Sequence, residues 1–175
     1  MILGKTIVYQ LQQYLLNQKG VSEEKEGNYI FNRNVENLNF QLTVKDFDKF
    51  SFLLENLQIE ISKESAEVSL AVDDLKKRAE FLAKKVTYLL ENLEVFEMDA
   101  VNLKIQLRST SPQDEQARLS YFEIIMQGNA SISLARILFD KGKKQKQRIP
   151  FHVTNEVLEK LINDVVKTIQ SQKFE

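Results

Sequence analysis

The chain has 175 residues, 43% of them apolar and 28% charged, with a formal net charge of -1, which allows one globular domain with an ordinary core. This near-neutral balance argues against a protein whose whole surface binds nucleic acid or anionic lipid. The sequence contains no cysteine, so disulfides, thiolate nucleophiles and cysteine-based zinc sites are excluded. No stretch reaches the roughly 18 apolar residues of a membrane-crossing helix, and the N-terminus lacks the basic start of a secretory signal. We therefore expect a soluble, cytoplasmic protein.

The first elements along the chain are a helix and two strands. Apolar residues at helical spacing predict a helix from about residue 5 to residue 17, ended by Gly20. The run "YIFNR" is typical of a strand. In "NLNFQLTV" the apolar residues Leu38, Phe40, Leu42 and Val44 alternate with polar ones, which predicts a strand with one wet face.

From this point the sequence resembles itself. "FQLTVKDF" from residue 40 is similar to "VSLAVDDL" from residue 68, and "FLLENLQIEI" from residue 52 is similar to "YLLENLEVFE" from residue 88. We interpret these segments as two strand–helix–strand units spanning roughly 38–62 and 67–98. The resulting βαββαβ order is the ferredoxin-like arrangement. An internal duplication and a chance likeness of two helix ends are both open interpretations.

Each unit carries a predicted apolar helix face. The face of the first helix consists of Phe47, Phe50, Leu54 and Leu57. The face of the second consists of Leu75, Ala79, Leu82, Val86, Leu89 and Leu93. The spacing of four and three residues in the second helix is compatible with a coiled coil. Its stripe is widened by Phe81, Tyr88 and Leu90, however, which favours a helix that packs on a sheet.

The C-terminal half is rich in predicted strands. "LEVFEM" and "VNLKIQLRS" form a hairpin about Asp99 and Ala100, and "RLSYFEIIM" and "SISLARILF" form another about Gly128 and Asn129. "RIPFHV" is a further short strand, and a last helix begins after Thr154 or Asn155. We expect one α+β domain over 1–175, with a mostly antiparallel sheet, helices packed on one side and a possible sub-boundary at 109–117.

Motifs that carry chemistry are missing. His152 is the only histidine, and alternation places it on the strand face opposite Ile149, Phe151 and Val153. Neither "GxxxxGK[ST]" nor "GxGxxG" occurs. The acidic pairs at element ends, such as Asp73 with Asp74, suit caps and turns better than catalysis. We therefore predict no catalytic residue, no metal ligand, no cofactor-binding residue and no cofactor, and we expect a protein that is not an enzyme.

The most conspicuous feature is "KGKKQKQR", which has five basic residues in eight positions. These candidate contact residues are Lys141, Lys143, Lys144, Lys146 and Arg148. One interpretation is the solvated turn of a hairpin, in which lysines also prevent unwanted strand pairing. The other is an electrostatic contact with a polyanion or an acidic protein. Arg136, inside the apolar strand before this cluster, either faces solvent or reaches an acid on a neighbouring strand.

The expected function follows from a complete fold signal without a reactive cluster of residues. We expect a non-catalytic protein-binding or assembly module, such as an adaptor or a chaperone-like subunit, that forms homo-oligomers. Binding of nucleic acid or another polyanion through the basic hairpin 141–148 is the alternative. A small-ligand or enzymatic pocket between sheet and helices is a lower alternative.

Overall fold

The computed structural model describes residues 3–19, 28–62, 71–128 and 130–171. These ranges contain three helices, α1 (Leu3–Lys19), α2 (Val72–Lys85) and α3 (Asn155–Gln170). They also contain ten strands: β1 (Tyr29–Val35), β2 (Leu38–Phe47), β3 (Ser51–Ile61), β4 (Leu93–Asp99), β5 (Lys104–Ser109), β6 (Gln113–Glu115), β7 (Arg118–Gln127), β8 (Ser131–Asp140), β9 (Gln145–Ile149) and β10 (Phe151–Thr154). The predicted stop at Gly20 lies outside the described residues.

The ten strands form one sheet in which every paired ladder is antiparallel. The main path runs β1-β2-β3-β8-β7-β5-β4, so β1 and β4 are its outer strands. The short strand β6 adds to the beginning of β7. The expected α+β class with a mostly antiparallel sheet is confirmed.

The sheet divides into two arms at a fork between β3 and β8. These strands pair over residues 57–60 and 131–134. Beyond this ladder the beginning of β3 pairs with β10, whereas the end of β8 pairs with β9. Pro150 lies at the corner between β9 and β10, where a residue without an N–H suits a break in the ladder. The predicted strand "RIPFHV" is therefore divided between a first arm (β1, β2, β3, β10) and a second arm (β4, β5, β7, β8, β9).

The three helices and one face of the sheet share a continuous apolar core. α3 lies between α1 and α2 and contacts both. Its buried residues include the predicted set Leu158, Leu161, Ile162, Val165 and Ile169. Thr154 caps it as expected, because its Oγ1 accepts from the Val157 N–H at 3.3 Å. α1 approaches α3 so closely at Gly4 that an added Cβ would lie 2.1 Å from the Glu159 carbonyl oxygen, so only glycine fits there.

The helix predicted in the first strand–helix–strand unit is wrong, because residues 51–61 form strand β3. The register of β2 and β3 is irregular, and it leaves Lys45 and Glu55 without directly opposed partners. Such irregularities shift the buried side from Phe52 and Leu54 to Leu57 and Ile59. The resulting step of three residues from Leu54 to Leu57 imitates part of a helical stripe. Lys45 and Glu55 pair with each other at 3.2 Å.

The helix predicted in the second unit is present as α2, but it ends earlier than expected, at Lys85. Three residues of the predicted face are buried although they follow the end of the helix: Val86, Leu89 and Leu93. The sequence pattern thus predicts their burial correctly but not their secondary structure. Tertiary contacts hold this connection, including a 2.8 Å hydrogen bond from the Tyr88 hydroxyl to Asp164 Oδ2. The first of the two units is thus strand–strand rather than strand–helix–strand, and the ferredoxin-like duplication is not confirmed. The strand predicted before α2 lies mainly in residues 63–70, outside the described residues.

Candidate binding surfaces

The five predicted contact residues lie together at the turn between β8 and β9. Lys141, Lys143 and Lys144 belong to the turn, whereas Lys146 and Arg148 lie on β9. Lys144 has a positive φ of 52°. We call these five residues the basic turn. All five side chains are exposed, so the structure places them where the sequence predicted.

Part of the charge of the basic turn is already compensated. Lys141 Nζ contacts both carboxylate oxygens of Asp114, on β6, at 2.7 and 2.8 Å. Asp140 Oδ1 accepts from the Lys143 N–H at 2.9 Å, and this hydrogen bond lowers the pKa of Asp140. A shallow pocket of about 260 Å³ beside the turn contains this carboxylate together with Arg118, Lys143 and Lys146. This carboxylate cancels part of the attraction that the three cations exert on a phosphate, and the lining keeps a net positive charge.

The other charged residues named from the sequence have structural contacts. Arg136 reaches an acid, as one of its two alternatives predicted, but that acid lies in the α2–β4 connection rather than on a neighbouring strand. Its Nη2 is 2.9 Å from Glu91 Oε1, and both side chains are nearly buried. His152 is exposed, opposite the buried Phe151 and Val153, which confirms the predicted face.

A second surface, which sequence reasoning missed, is a groove of about 580 Å³ between α1 and the β2–β3 turn. We call it the α1 groove. Its lining consists of Gln12, Gln13, Leu16, Lys19, Phe47, Asp48, Lys49, Phe50 and Asn155. Leu16 is 57% exposed and Phe50 is 70% exposed. Two large apolar side chains thus face solvent across a concave surface, which is typical of a binding site rather than of scattered surface residues.

The turn that carries Phe50 is held firmly. Asp48 Oδ1 accepts from the N–H groups of Phe50 and Ser51 at 2.6 and 2.8 Å. The hydrogen bond from Phe50 is the main reason why the pKa of Asp48 is lowered. The Lys49 carbonyl accepts from Asn155 Nδ2 at 3.0 Å, and Asn155 N–H donates to the Phe50 carbonyl at 2.9 Å. These contacts tie the turn to the start of α3, so Phe50 is presented on a fixed backbone.

Lysines form the charged rim of the α1 groove. Lys19 Nζ lies 5.3 Å from the centroid of the Phe47 ring, and Lys49 Nζ lies 5.5 Å from that of Phe50. Neither lysine forms an ion pair with another residue in the described ranges. The carboxylate of Asp48 is occupied by the turn. The rim therefore favours a partner that brings carboxylates beside its apolar residues.

A third surface runs along the outer strand β4 and its two flanking turns. Its exposed apolar residues are Leu90 (97% exposed), Phe96 (55%), Met98 (41%) and Val101 (92%). Strand β4 itself carries three acids, Glu94, Glu97 and Asp99. We call this surface the β4 edge. It lies at the opposite end of the sheet path from β1 and β2.

Leu90 is presented by a constrained backbone. Its φ is 65°, which is unfavourable for a leucine. The next residue, Glu91, accepts from both Arg136 and Ser109, so the connection is fixed to the sheet. At the other end of β4, Asp99 Oδ1 accepts from the N–H groups of Val101 and Asn102, both at 3.0 Å. The β4 edge therefore has defined turns at both ends.

Comparison of the chain with protein-family models, with curated proteins and with solved structures found no match. Among the described residues, no group of three or more histidines or acids could hold a metal ion. In the same ranges, no helix combines the length and the apolar character needed to cross a membrane. The arrangement of the surfaces themselves therefore carries the functional interpretation.

Proposed function

We propose that this protein is a non-catalytic protein-binding or assembly module whose partner docks in the α1 groove. The observation that carries this proposal is the pair Leu16 and Phe50, both more than half exposed on opposite walls of one groove. Leaving two such side chains in water is unfavourable, and covering them with a partner's apolar residues removes that cost. The fixed turn lowers the entropy that binding must overcome.

The packing of the interior supports a surface site rather than the sheet–helix pocket of the lower alternative. The layer between sheet and helices is filled by large side chains such as Phe40, Phe52, Leu57 and Leu11, each at most 1% exposed. Ligand pockets are concave spaces lined by accessible side chains. The α1 groove has this character, and it opens to solvent.

Binding to short labelled peptides of equal length tests the proposal. The peptides carry one aromatic or aliphatic anchor flanked by acidic, neutral or basic residues, and fluorescence anisotropy measures their affinity. We expect the acidic peptides to bind best. Replacing Phe50→Asp should weaken their binding by roughly tenfold or more, because a central apolar contact is lost and a repulsive charge is added.

Tyr9→Asp is the matched control, because Tyr9 is 61% exposed on α1 but does not line the groove. This variant should bind the peptides as the parent protein does. Equal binding by the parent and the Phe50→Asp variant would contradict the proposal, as would a failure of every peptide to bind.

Binding of a polyanion through the basic turn is the second candidate function. It is favoured by the exposure of Lys143, Lys144, Lys146 and Arg148, none of which forms an ion pair in the described part of the chain. Four phosphate contacts to duplex DNA would give a slope of about -3.6 in a plot of log affinity against log salt concentration. Changing these four residues to glutamine should abolish salt-sensitive DNA binding if this candidate is correct, and unchanged binding would refute it.

A further inference from the structure

We propose that the partner of the α1 groove is the β4 edge of a second copy of this chain, so that copies associate head to tail. The proposal rests on the proposed function, since it identifies the occupant of the same groove. The α1 groove belongs to the first arm and the β4 edge is the outer strand of the second arm. One copy can therefore use both surfaces at once.

The apolar residues of the chain are distributed as this contact requires. The exposed large apolar side chains of the described residues fall into two groups of four. The first group is Tyr9, Leu16, Ile30 and Phe50, and the second is Leu90, Phe96, Met98 and Val101. Two of the first group line the α1 groove, and the whole second group lies on the β4 edge. The apolar side chains of the β4 edge can therefore cover the exposed apolar side chains of the α1 groove, and the reverse.

The unpaired charges of the two surfaces are opposite in sign, because Arg108, whose guanidinium lies 3.8 Å from the Phe96 ring, is already paired with Glu123. Lys19 and Lys49 border the α1 groove, whereas Glu94 and Glu97 lie on the β4 edge beside Phe96. None of these four forms an ion pair in the described ranges. Docking of the β4 edge into the α1 groove would bring the two glutamates close to the two lysines. This attraction favours contact between these two surfaces.

Pairing of like surfaces is disfavoured by the same charges. Two β4 edges side by side would bring six carboxylates together, because each copy contributes Glu94, Glu97 and Asp99. The register also shifts between Val95 and Glu97, and such a bulge hinders edge-to-edge strand pairing. Two α1 grooves would likewise oppose lysine to lysine. A heterologous contact remains, which gives a ring if the rotation closes and an open chain if it does not.

Sedimentation equilibrium over a wide concentration range tests the proposal. The parent protein should associate. The charge reversal Lys19→Glu with Lys49→Glu should weaken association by at least about tenfold, and so should Glu94→Lys with Glu97→Lys. Both reversals in one chain restore opposite signs, so this four-residue variant should associate again. Circular dichroism shows that each variant is folded, and the recovery in the four-residue variant excludes a mere loss of folding.

Mixing two disabled variants distinguishes a head-to-tail contact from a symmetric one. Phe50→Asp disables the groove of one copy, and Phe96→Lys disables the edge of another, because each change replaces an apolar contact by a charge that the opposite surface repels. Each variant alone should be monomeric, whereas their mixture should form a dimer that grows no further, since only one intact groove and one intact edge remain. A symmetric contact would not be rescued in this way.

A parent protein that stays monomeric, or a mixture that stays monomeric, would overturn the head-to-tail contact. The peptide measurements described above then decide the fate of the proposed function separately. If the parent is monomeric and still binds acidic peptides through Phe50, the groove serves another protein. If it binds neither itself nor peptides, both proposals fail.

Discussion

The α1 groove and the basic turn both display lysines, but only the groove combines them with exposed apolar surface. In the groove, Lys19 and Lys49 lie over the rings of Phe47 and Phe50. In the basic turn, Lys141 is paired with Asp114, and the neighbouring lysines extend into solvent around a carboxylate. The basic turn carries more charge, whereas the α1 groove exposes more apolar surface to solvent.

This difference shows that the number of charges does not identify a contact surface. A lysine in water retains its hydration, so an exposed ion pair contributes little to binding. A lysine beside an exposed ring adds charge preference to a site whose affinity comes from apolar burial. Contacts thus decide which charged groups matter, and the variants below test this for a nearly buried cation, for a carboxylate that holds a turn and for an exposed cation.

The largest effect is expected for Arg136, whose ion pair with Glu91 is the least exposed of the four ion pairs in the described residues. Arg136→Ala should lower the free energy of unfolding by about 3 to 5 kcal/mol, because Glu91 would be left charged and nearly buried without its partner. Urea denaturation measures this loss. The double variant Arg136→Ala with Glu91→Gln should lose less than the sum of the two single losses. A loss below about 1 kcal/mol for Arg136→Ala would contradict the contact.

An intermediate effect is expected from Asp48, compared with the equivalent carboxylate Asp140 of the basic turn. Asp48→Ala releases Phe50 from its turn and should weaken peptide binding roughly fivefold, although it removes a negative charge from a site for acidic peptides. Asp140→Ala, which changes the same group in the other turn, should leave peptide binding unchanged. Stronger binding by the Asp48→Ala variant would show that charge, not the position of Phe50, governs the groove.

The pH dependence of the groove follows from the same carboxylate. The hydrogen bond from the Phe50 N–H lowers the pKa of Asp48 in the folded protein. The stabilisation of the turn is therefore fully present above the unfolded pKa of about 3.9. It is lost as the pH falls through the lower folded value. Peptide binding that depends on Asp48 should accordingly persist to pH 5, which anisotropy titrations across acidic pH can measure.

The smallest effect is expected in the basic turn. Lys141→Gln removes an exposed ion pair and should change the free energy of unfolding by no more than about 0.5 kcal/mol. Urea denaturation of this variant beside Arg136→Ala compares an exposed cation with a buried one. Similar losses in the two variants would break the distinction between them.

Local patterns predicted much of the fold. The alternation in β2, the Thr154 cap and the apolar face of α3, and the turns at Asp99 and Gly128 are each encoded within a few residues. The error in β3 has a physical cause, since the irregular register at Lys45 and Glu55 disrupts strict alternation. The early end of α2 depends on contacts such as Tyr88 with Asp164, which come from a distant segment.

The surfaces were harder to predict than the elements. The basic turn was found because its lysines are adjacent in sequence, but its partner Asp114 comes from β6 and gave no signal. The α1 groove joins Leu16 with Phe50 from separate elements, and the sequence pattern places Phe50 on a helix. One local signal did exist, since Asp48 followed by Ser51 is typical of a side-chain-capped turn. A hairpin turn predicted at "FDKFSF" places Phe50 at an exposed position.

Backbone amide chemical shifts of the parent protein, followed during dilution, test the central claim most directly. The account predicts concentration-dependent shifts at Leu16 and Phe50 on one surface and at Phe96 and Met98 on the other, with the amides of Lys143 and Lys146 unchanged. Shifts confined to the basic turn, or spectra that do not change with concentration, would contradict it.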